Sequence, residues 1–161
     1  MSPLSNDQHV IIKADHVHLE EQGLTTLIGA VNVSQNGRQF VARALDYSRV
    51  TDTIRINDES FFSDSRFVIR SDRATFNMID GTGSFLGTNF LVNSVGGRGG
   101  ADRIDFDQAG LASLQHSWFT TCPPDHEDWS LEAARLRLNQ TTQMGTAHDV
   151  VMRFENVPFL Y

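Results

Sequence analysis

The stretch Ile12-Lys13-Ala14-Asp15-His16-Val17-His18-Leu19 carries a pattern that recurs along the whole chain. An apolar residue is followed two positions later by a small residue, and apolar residues follow three and five positions beyond it. The small residues stand at positions 14, 42, 71, 101 and 133, so successive units are 28, 29, 30 and 32 residues apart. A repeat this regular indicates a chain built from similar structural units. The other four units are Phe40, Ala42, Leu45, Tyr47; Ile69, Ser71, Ala74, Phe76; Gly99, Ala101, Ile104, Phe106; and Leu131, Ala133, Leu136, Leu138.

Each unit changes phase at its small residue. Positions 12 and 14 alternate as in a strand, and so do positions 17 and 19, but the two pairs are out of step. Such a change marks a bulge or a bend, where one strand can pass from one sheet to another. A second apolar half follows after a turn-forming segment such as Asp80-Gly81-Thr82-Gly83. The sequence therefore predicts an all-β sandwich or barrel of about five strand-turn-strand units.

One segment has a competing helical interpretation. The residues from Leu131 to Leu138 read LEAARLRL, and most of them are good helix formers. The register of the repeat favours a strand at this point, because the segment supplies the fifth copy of the pattern. We therefore expect a strand here as well.

Length and composition narrow the class of protein. The chain has 161 residues, 40% of them hydrophobic, which is enough for one domain with a core. A net charge of −7 argues against nonspecific binding to nucleic acid, which requires a basic surface. No stretch approaches the roughly 20 apolar residues of a spanning helix, and the start has no signal-peptide pattern. We expect a single domain over residues 1–161, with residues 1–8 poorly ordered.

The residue types that carry chemistry do not combine into a known site. His16 and His18 share one face of a strand and could bind a metal, but no further ligand is placed to complete the site. Cys122 and His126 lack a second ligand pair, and the glycines of segment 96–100 lack the lysine of a phosphate-binding loop. We therefore expect no metal, no cofactor and no enzymatic activity.

The apolar interior allows two interpretations. Phenylalanine dominates the aromatic residues, with 11 Phe against two Trp and two Tyr, and its ring carries no polar group. A cleft lined by such residues suits acyl chains, whereas a plain packed core explains the same composition. The candidate interior residues are Val31, Val33, Ile54, Ile56, Ile69, Phe76, Phe90, Val92, Trp118, Met152 and Phe154.

Several motifs resemble a known family. Segments 13–19 (KADHVHL) and 28–42 (IGAVNVSQNGRQFVA) are similar to the OstA-like repeats shared with the bridge protein LptA. Segments 119–124 (FTTCPP), 128–131 (DWSL) and 157–161 (VPFLY), together with Gly145-Thr146-Ala147, resemble the periplasmic N-terminal domain of the LptD family. These are lipopolysaccharide-assembly proteins of the Gram-negative outer membrane.

The resemblance implies a fold, a function and a location. The implied fold is the OstA/LptA-like β-jellyroll, an open twisted sandwich of two sheets whose interior carries lipopolysaccharide acyl chains. The implied partners are lipopolysaccharide, an LptA-like bridge, the protein's own C-terminal barrel and an LptE-like lipoprotein. The implied location is the periplasmic side of the outer membrane. The family's barrel follows the segment that ends at Tyr161, so we expect this chain to be the periplasmic domain alone, feeding that barrel. A docking adaptor with a filled interior is the alternative function.

Two further expectations concern an edge and a thiol. The terminal strand of an open sheet leaves backbone groups unpaired, and such an edge recruits another strand. We expect the strand containing Val10, Ile12, Ala14, Val17 and Leu19 to be the docking edge for the LptA-like partner. Cys122, the chain's one cysteine, is expected to be a partly accessible thiol. Nearby acidic residues are expected to raise the pKa of this thiol. The resemblance implies a disulfide from this thiol to the barrel.

Overall fold

The computed structural model describes residues 9–139, 141–142, 144–155 and 157–160, with the side chains of residues 159 and 160 left aside. The expectation that residues 1–8 are poorly ordered concerns positions outside this range. Within the described part every regular element is a β-strand, so the all-β prediction is confirmed. The strands are β1 (Ile11–Lys13), β2 (His16–Leu19), β3 (Leu24–Gln35), β4 (Arg38–Ser48), β5 (Thr53–Ile56), β6 (Ser60–Ser63), β7 (Phe67–Ser71), β8 (Arg73–Asn77), β9 (Gly83–Val92), β10 (Gly97–Phe106), β11 (Leu111–Thr120), β12 (Trp129–Asn139), β13 (Met144–Phe154) and β14 (Val157–Leu160).

All the strand pairs in the described residues are antiparallel, and the long strands contribute to two sheets at once. The second half of β4 pairs with β5, whereas its first half pairs with β6. In the same way β9 pairs with β8 through its first half and with β7 through its second half. We name the half that contains β2, β5 and β8 sheet I, and the half that contains β1, β6, β7 and β14 sheet II.

A corner runs across the long strands where sheet I meets sheet II. The ladders skip a position there: Ala101 pairs with Ser117 and Arg103 with Gln115, while the residues between them do not pair. Gly87 and His116 lie at this corner with positive φ angles of 60° and 46°. A left-handed residue inserts the bend that changes the phase of the strand. Because of this change of phase, each long strand points its apolar side chains inward in both sheets.

The small residues of the repeat lie on the inner side of this corner. Ala42, Ser71, Ala101 and Ala133 are buried. Ala14 is half-buried against the same core. On the inner side of the corner the two sheets converge, so a large side chain there would hold them apart. The prediction that the small residue marks the bend is confirmed, and so is the strand at Leu131–Leu138, which lies within β12.

Phenylalanine rings of β4, β6, β8 and β9 join the two sheets. Phe40 and Phe62 of sheet II meet Phe76 and Phe85 of sheet I, with ring centroids 5.2–6.4 Å apart. Such aromatic pairs add about 0.5–1.5 kcal/mol each beyond the area that they bury. This part of the interior is a filled core.

One candidate interior residue lies on the other face. Trp118 pairs across the sheet with Gly100 and Glu132, and the guanidinium carbon of Arg98 lies 5.5 Å from the centre of its ring. This is the outer face of sheet II, whereas Phe119 takes the inward position. The left-handed residue His116 explains the correction, because it shifts the alternation of β11 by one residue.

Candidate functional site

A cleft of about 800 Å³ separates the two sheets where β7 and the second half of β9 face β10, β11 and β12. Its volume lies in the range of roughly 300–1,000 Å³ typical of small-molecule sites. The wall from sheet II consists of Phe67, Ile69, Phe90 and Val92, and the wall from sheet I consists of Ile104, Phe106, Ala112, Leu114 and Leu138. Every one of these nine side chains is apolar, so the walls offer no hydrogen bond to a ligand.

The register of the strands explains why these side chains share the cleft. Ile69 pairs with Phe90, and Ile104 pairs with Leu114, so each pair lies on one face. The row of Ile69 and Phe90 continues into Gly99, where an added Cβ would lie 2.5 Å from the Phe90 ring. Glycine therefore lets the ring lie against the sheet, which leaves the space beyond it open.

The rim of the cleft is mostly polar, although the exposed side chains of Val95 and Met144 also lie there. Ser65 and Arg66 lie on the loop before β7, Asn93 and Ser94 lie on the loop after β9, and Asn139 ends β12. An amide hydrogen bond from Asn93 Nδ2 to the Ser65 carbonyl oxygen (3.3 Å) joins the first two loops. Arg66 donates to Asp64 Oδ2 through Nε and through Nη2, at 3.0 and 2.6 Å. A molecule with an apolar part and a polar part could therefore place each against matching protein groups.

Apart from Trp118, which lies on the outer face, the predicted interior residues fall into three groups. Ile69, Phe90 and Val92 line the cleft. Met152 is half-buried in the inward row of sheet II, and Phe154 in the same strand is 56% exposed. The remaining inward residues lie in the filled core, where they are at most 3% exposed and border no space as large as the cleft. They are Val31, Val33, Ile54, Ile56 and Phe76.

Several cleft residues were missed by the sequence analysis as site residues. Phe67, Ile104, Phe106, Ala112, Leu114 and Leu138 line the cleft but were not among the candidates. A signal for half of them was present, because Ile104, Phe106 and Leu138 occupy the apolar positions of the fourth and fifth repeat units. The repeat identifies inward positions, but it does not distinguish those that line a cleft from those in a filled core.

The predicted docking edge is free in the described part of the structure. Strands β1 and β2 pair on one side only, with β3. Ile12, Val17 and Leu19 are 37%, 57% and 65% exposed, while Val10 and Ala14 pack in part against the core.

The direction of the backbone groups in β2 follows from its turn. The Glu20 N–H donates to the Leu24 carbonyl oxygen at 2.9 Å, which makes these two residues a hydrogen-bonded pair. Because such pairs alternate along an antiparallel ladder, His18 also bonds to β3, while the N–H groups of Val17 and Leu19 point away from it. Those two donors face the open side of the strand.

Cys122 is a partly accessible free thiol, as expected, but its pKa shifts in the opposite direction from the prediction. Hydrogen bonds hold the pKa of the thiol below its ordinary value, first from the Thr120 hydroxyl and then from the backbone N–H groups of Trp129 and Asp128. The Asp128 carboxylate does raise the pKa, but by less than these bonds lower it. The expectation of a raised pKa is therefore wrong, since it considered the nearby charges and overlooked the loop's own donors.

Neither motif that could hold a metal gathers further ligands. His16 and His18 lie opposite Ile28 and Thr26, on the outer face of sheet I. Among the residues described, no three His, Cys, Asp or Glu side chains are placed to hold a metal ion together. In the same residues no helix has the length and apolar character to cross a membrane.

No family model matches the chain. Among solved structures, one that resembles it is LptH of Pseudomonas aeruginosa, described as the LptA homologous periplasmic component of a lipopolysaccharide transport device. That likeness has a TM-score of 0.36 and 12% identity, over 95% of this chain and 99% of LptH.

Three relatives share one name. The chain is 28% identical to LPS-assembly protein LptD of Thiobacillus denitrificans over 94% of its own length and 21% of that protein. The LptD proteins of Nitrosomonas europaea and Cupriavidus necator are 25% and 27% identical over 100% and 98% of this chain, and it spans 22% and 19% of them. The chain thus spans about a fifth of these relatives. The resemblance read from the sequence is confirmed: over nearly its whole length the chain is similar to proteins named LPS-assembly protein LptD.

Proposed function

We propose that this chain is a lipopolysaccharide-transport module whose cleft receives acyl chains. The observation that carries the proposal is the open space of about 800 Å³ with apolar walls from both sheets and a polar rim. Its relatives are named for the assembly of lipopolysaccharide, an amphipathic molecule whose acyl chains match the walls. The proposed function involves binding and release, with no catalytic step.

The energetics favour a chain-like apolar ligand. Burial of each methylene group contributes about 0.8 kcal/mol, so a chain of several methylenes gains enough to offset the freedom lost on binding. The rim places Arg66, Asn93 and Asn139 beside the opening, where a polar headgroup can keep its hydrogen bonds. The cleft therefore supports binding of the acyl chains inside and of the headgroup at the surface.

We also propose partners and a location on the basis of the relatives' names. The module would lie on the periplasmic side of the outer membrane. It would receive lipopolysaccharide from an LptA-like bridge and pass it to the barrel of its own longer protein and an LptE-like lipoprotein. The exposed edge of β2 would accept the bridge, because Val17 and Leu19 each present an unpaired backbone donor there.

Proline substitutions test this docking edge. Val17→Pro removes a donor that faces away from β3, so the domain stays folded and its binding to the purified bridge protein weakens. His18→Pro is the matched control, because it removes a donor that the ladder uses and destabilises the strand itself. Undiminished binding by folded Val17→Pro and Ile12→Pro variants would exclude this edge.

A second candidate function is a docking adaptor that binds no lipid. The core around Phe40, Phe62, Phe76 and Phe85 favours it, because the space beside these rings, about 190 Å³, is far smaller than the cleft. The two functions differ in what the cleft contains during transport.

Photo-crosslinking distinguishes the two functions. A crosslinking residue at Phe90, in the wall of the cleft, is expected to capture lipopolysaccharide in cells. The same residue at Asn89 is the matched control, since it is the next position of β9 and points to the outer face. Capture from Phe90 but not from Asn89 supports the conduit. Equal capture at both, or none at Phe90 in an active protein, supports the adaptor.

We further propose that Cys122 forms a disulfide with a cysteine of the longer protein. The thiol is accessible, and its loop is held in place because Arg98 donates to the Cys122 carbonyl oxygen at 3.1 Å and pairs with Glu127 at 3.1 Å. A bond from this loop would fix the angle of the domain to the rest of the protein. Mass spectrometry of the non-reduced full-length protein tests it, and a free Cys122 in an active protein would refute it.

A further inference from the structure

Two phenylalanine rings close the cleft at its inner end. Phe67 belongs to β7 in sheet II, and Phe106 belongs to β10 in sheet I. Their rings are stacked, with centroids 5.5 Å apart and planes within 13° of parallel. Because one ring comes from each sheet, the pair spans the gap between the sheets and forms a wall across it.

The wall is supported from behind and from the side. The Phe106 ring meets Phe85 edge-on, with centroids 5.8 Å apart, and the Phe67 ring lies 6.1 Å from Phe62. The Arg66 guanidinium lies 5.0 Å from the centre of the Phe67 ring and is itself ion-paired with Asp64. The two rings therefore rest against the filled core on one side, with a charged group over Phe67.

A second, smaller cavity lies on the far side of the wall. It has a volume of about 190 Å³ and a mixed lining, in which Phe62 and Phe76 lie beside the polar residues Arg38, Asp80, Asp107 and Gln108. Phe67, Phe106 and Arg66 border both this cavity and the cleft. The stacked rings thus separate two spaces that would otherwise join.

We propose that Phe67 and Phe106 determine how long an acyl chain the cleft accepts. This inference rests on the proposed function, since it assigns the length limit of the same site. A chain that enters past the rim runs between the walls until its end meets the stacked rings. A longer chain leaves its last carbons outside, where they add nothing to the binding.

The limit has a measurable consequence. While the chain lengthens inside the cleft, each further buried methylene raises the affinity about fourfold. Once the end of the chain meets the rings, the affinity stops rising with length. Removal of one ring joins the cleft to the cavity beyond it, so the affinity keeps rising over the few further carbons that can lie against Phe62 and Phe76.

The experiment measures the affinities of saturated fatty acids, from octanoate to stearate, for the 161-residue chain by calorimetry. In the unchanged protein the affinity is expected to level off within the series. In Phe106→Ala and in the milder Phe67→Leu it is expected to level off at a longer chain. Phe61→Ala is the control, because Phe61 is exposed on the outer face of sheet II, and it is expected to match the unchanged protein.

The outcomes separate this inference from the proposed function. If no fatty acid binds the unchanged protein, the proposed function fails and this inference with it. If fatty acids bind but the folded variants level off at the same length as the unchanged protein, the wall does not set the limit and only this inference fails. Phe67→Leu keeps an apolar side chain of similar size, so it provides the test if Phe106→Ala does not fold.

Discussion

Tyr47 is the residue whose ionisation should affect the stability of the fold most directly. Its hydroxyl donates to Asp52 Oδ1 at 2.7 Å and its side chain is buried. Burial, followed by the bond to Asp52 and the charge of that residue, raises the pKa of Tyr47 to about 12. The fold therefore favours the neutral phenol. Its stabilising contribution is complete below pH 10, the ordinary tyrosine value, and is lost between pH 10 and pH 12.

A titration of tyrosinate absorbance tests this shift. Tyr161→Phe leaves Tyr47 as the one tyrosine of the chain, and we expect its midpoint near pH 12. Asp52→Asn is the control, since it removes the carboxylate charge and should lower the midpoint towards 10. A midpoint of 10 in the Tyr161→Phe protein would show that the Tyr47 hydroxyl is not held as described.

Cys122 should react as a thiol with a lowered pKa. Alkylation by iodoacetamide follows the thiolate fraction, so its rate should reach half of its maximum below the pH at which an ordinary cysteine does. Thr120→Val removes the first of the three hydrogen bonds and should move the midpoint upwards. If the midpoint lies at or above that of free cysteine, the loop donors do not reach the sulfur.

At the residue scale, the sequence indicated which positions are small and apolar but not every direction that side chains take. Ala42 and Ala101 lie on the inner side of the corner, where the repeat predicts them. The inward position of Phe119 in place of Trp118 was not predictable, because it depends on the left-handed conformation of His116. A non-glycine residue with positive φ carries no clear sequence signal, since most side chains disfavour it.

The corner of β9 makes a prediction at the scale of one strand. Gly87 has a φ of +60°, and an added Cβ would meet the Asp72 carboxylate. Gly87→Ala should therefore lose about 1–2 kcal/mol from backbone strain and about 1–3 kcal/mol more from overpacking. Urea unfolding measures the sum.

The turn between β3 and β4 offers a matched control. Gly37 has a φ of +75°, but an added Cβ there would meet nothing within 4 Å. Gly37→Ala should thus show the backbone strain alone. Equal losses of unfolding free energy at the two positions would mean that the contact with Asp72 is not tight.

The elements themselves were largely predictable. The repeat located the strands, including β12, whose composition favours a helix. In β12 the pairing with β11 and β13 outweighs intrinsic propensity, which is small per residue. What the repeat did not show is that β4 and β9 each pair with two shorter strands on one side, since pairing partners depend on contacts far apart in the chain.

At the scale of the whole molecule, the two ends of the domain should differ in local stability. The core around Phe40 and Phe85 is buried, whereas the first half of β13 is exposed throughout, with Met144 72% exposed. Regions with few buried apolar contacts open more readily. Hydrogen exchange should therefore protect the amides of β4 and β9 more than those of β13.

An added fatty acid should change this pattern in one place. If it binds in the cleft, protection should rise at β12 and β13 and stay constant in β4, which lines no part of the cleft. Uniform protection of β4 and β13 without ligand would contradict the division into a filled part and an open part.

The division itself could not be predicted from the sequence. Phe76 and Phe106 hold the same place in their repeat units, yet one is in the filled core and the other forms the wall of the cleft. Whether two inward rows meet or stay apart depends on how closely the sheets approach at each strand. That distance is set by the packing of all the neighbouring side chains together.

The antiparallel stacking of similar units has a consequence for how such domains diverge. Each strand bonds only to its immediate neighbours, so a duplicated hairpin could be added without disturbing the others. Adjacent strands lie about 4.8 Å apart, and one extra hairpin would extend the domain by roughly 9–10 Å. The length of the domain would then evolve in discrete steps, through gain or loss of a whole hairpin. The cross-section that a passing molecule meets would stay the same.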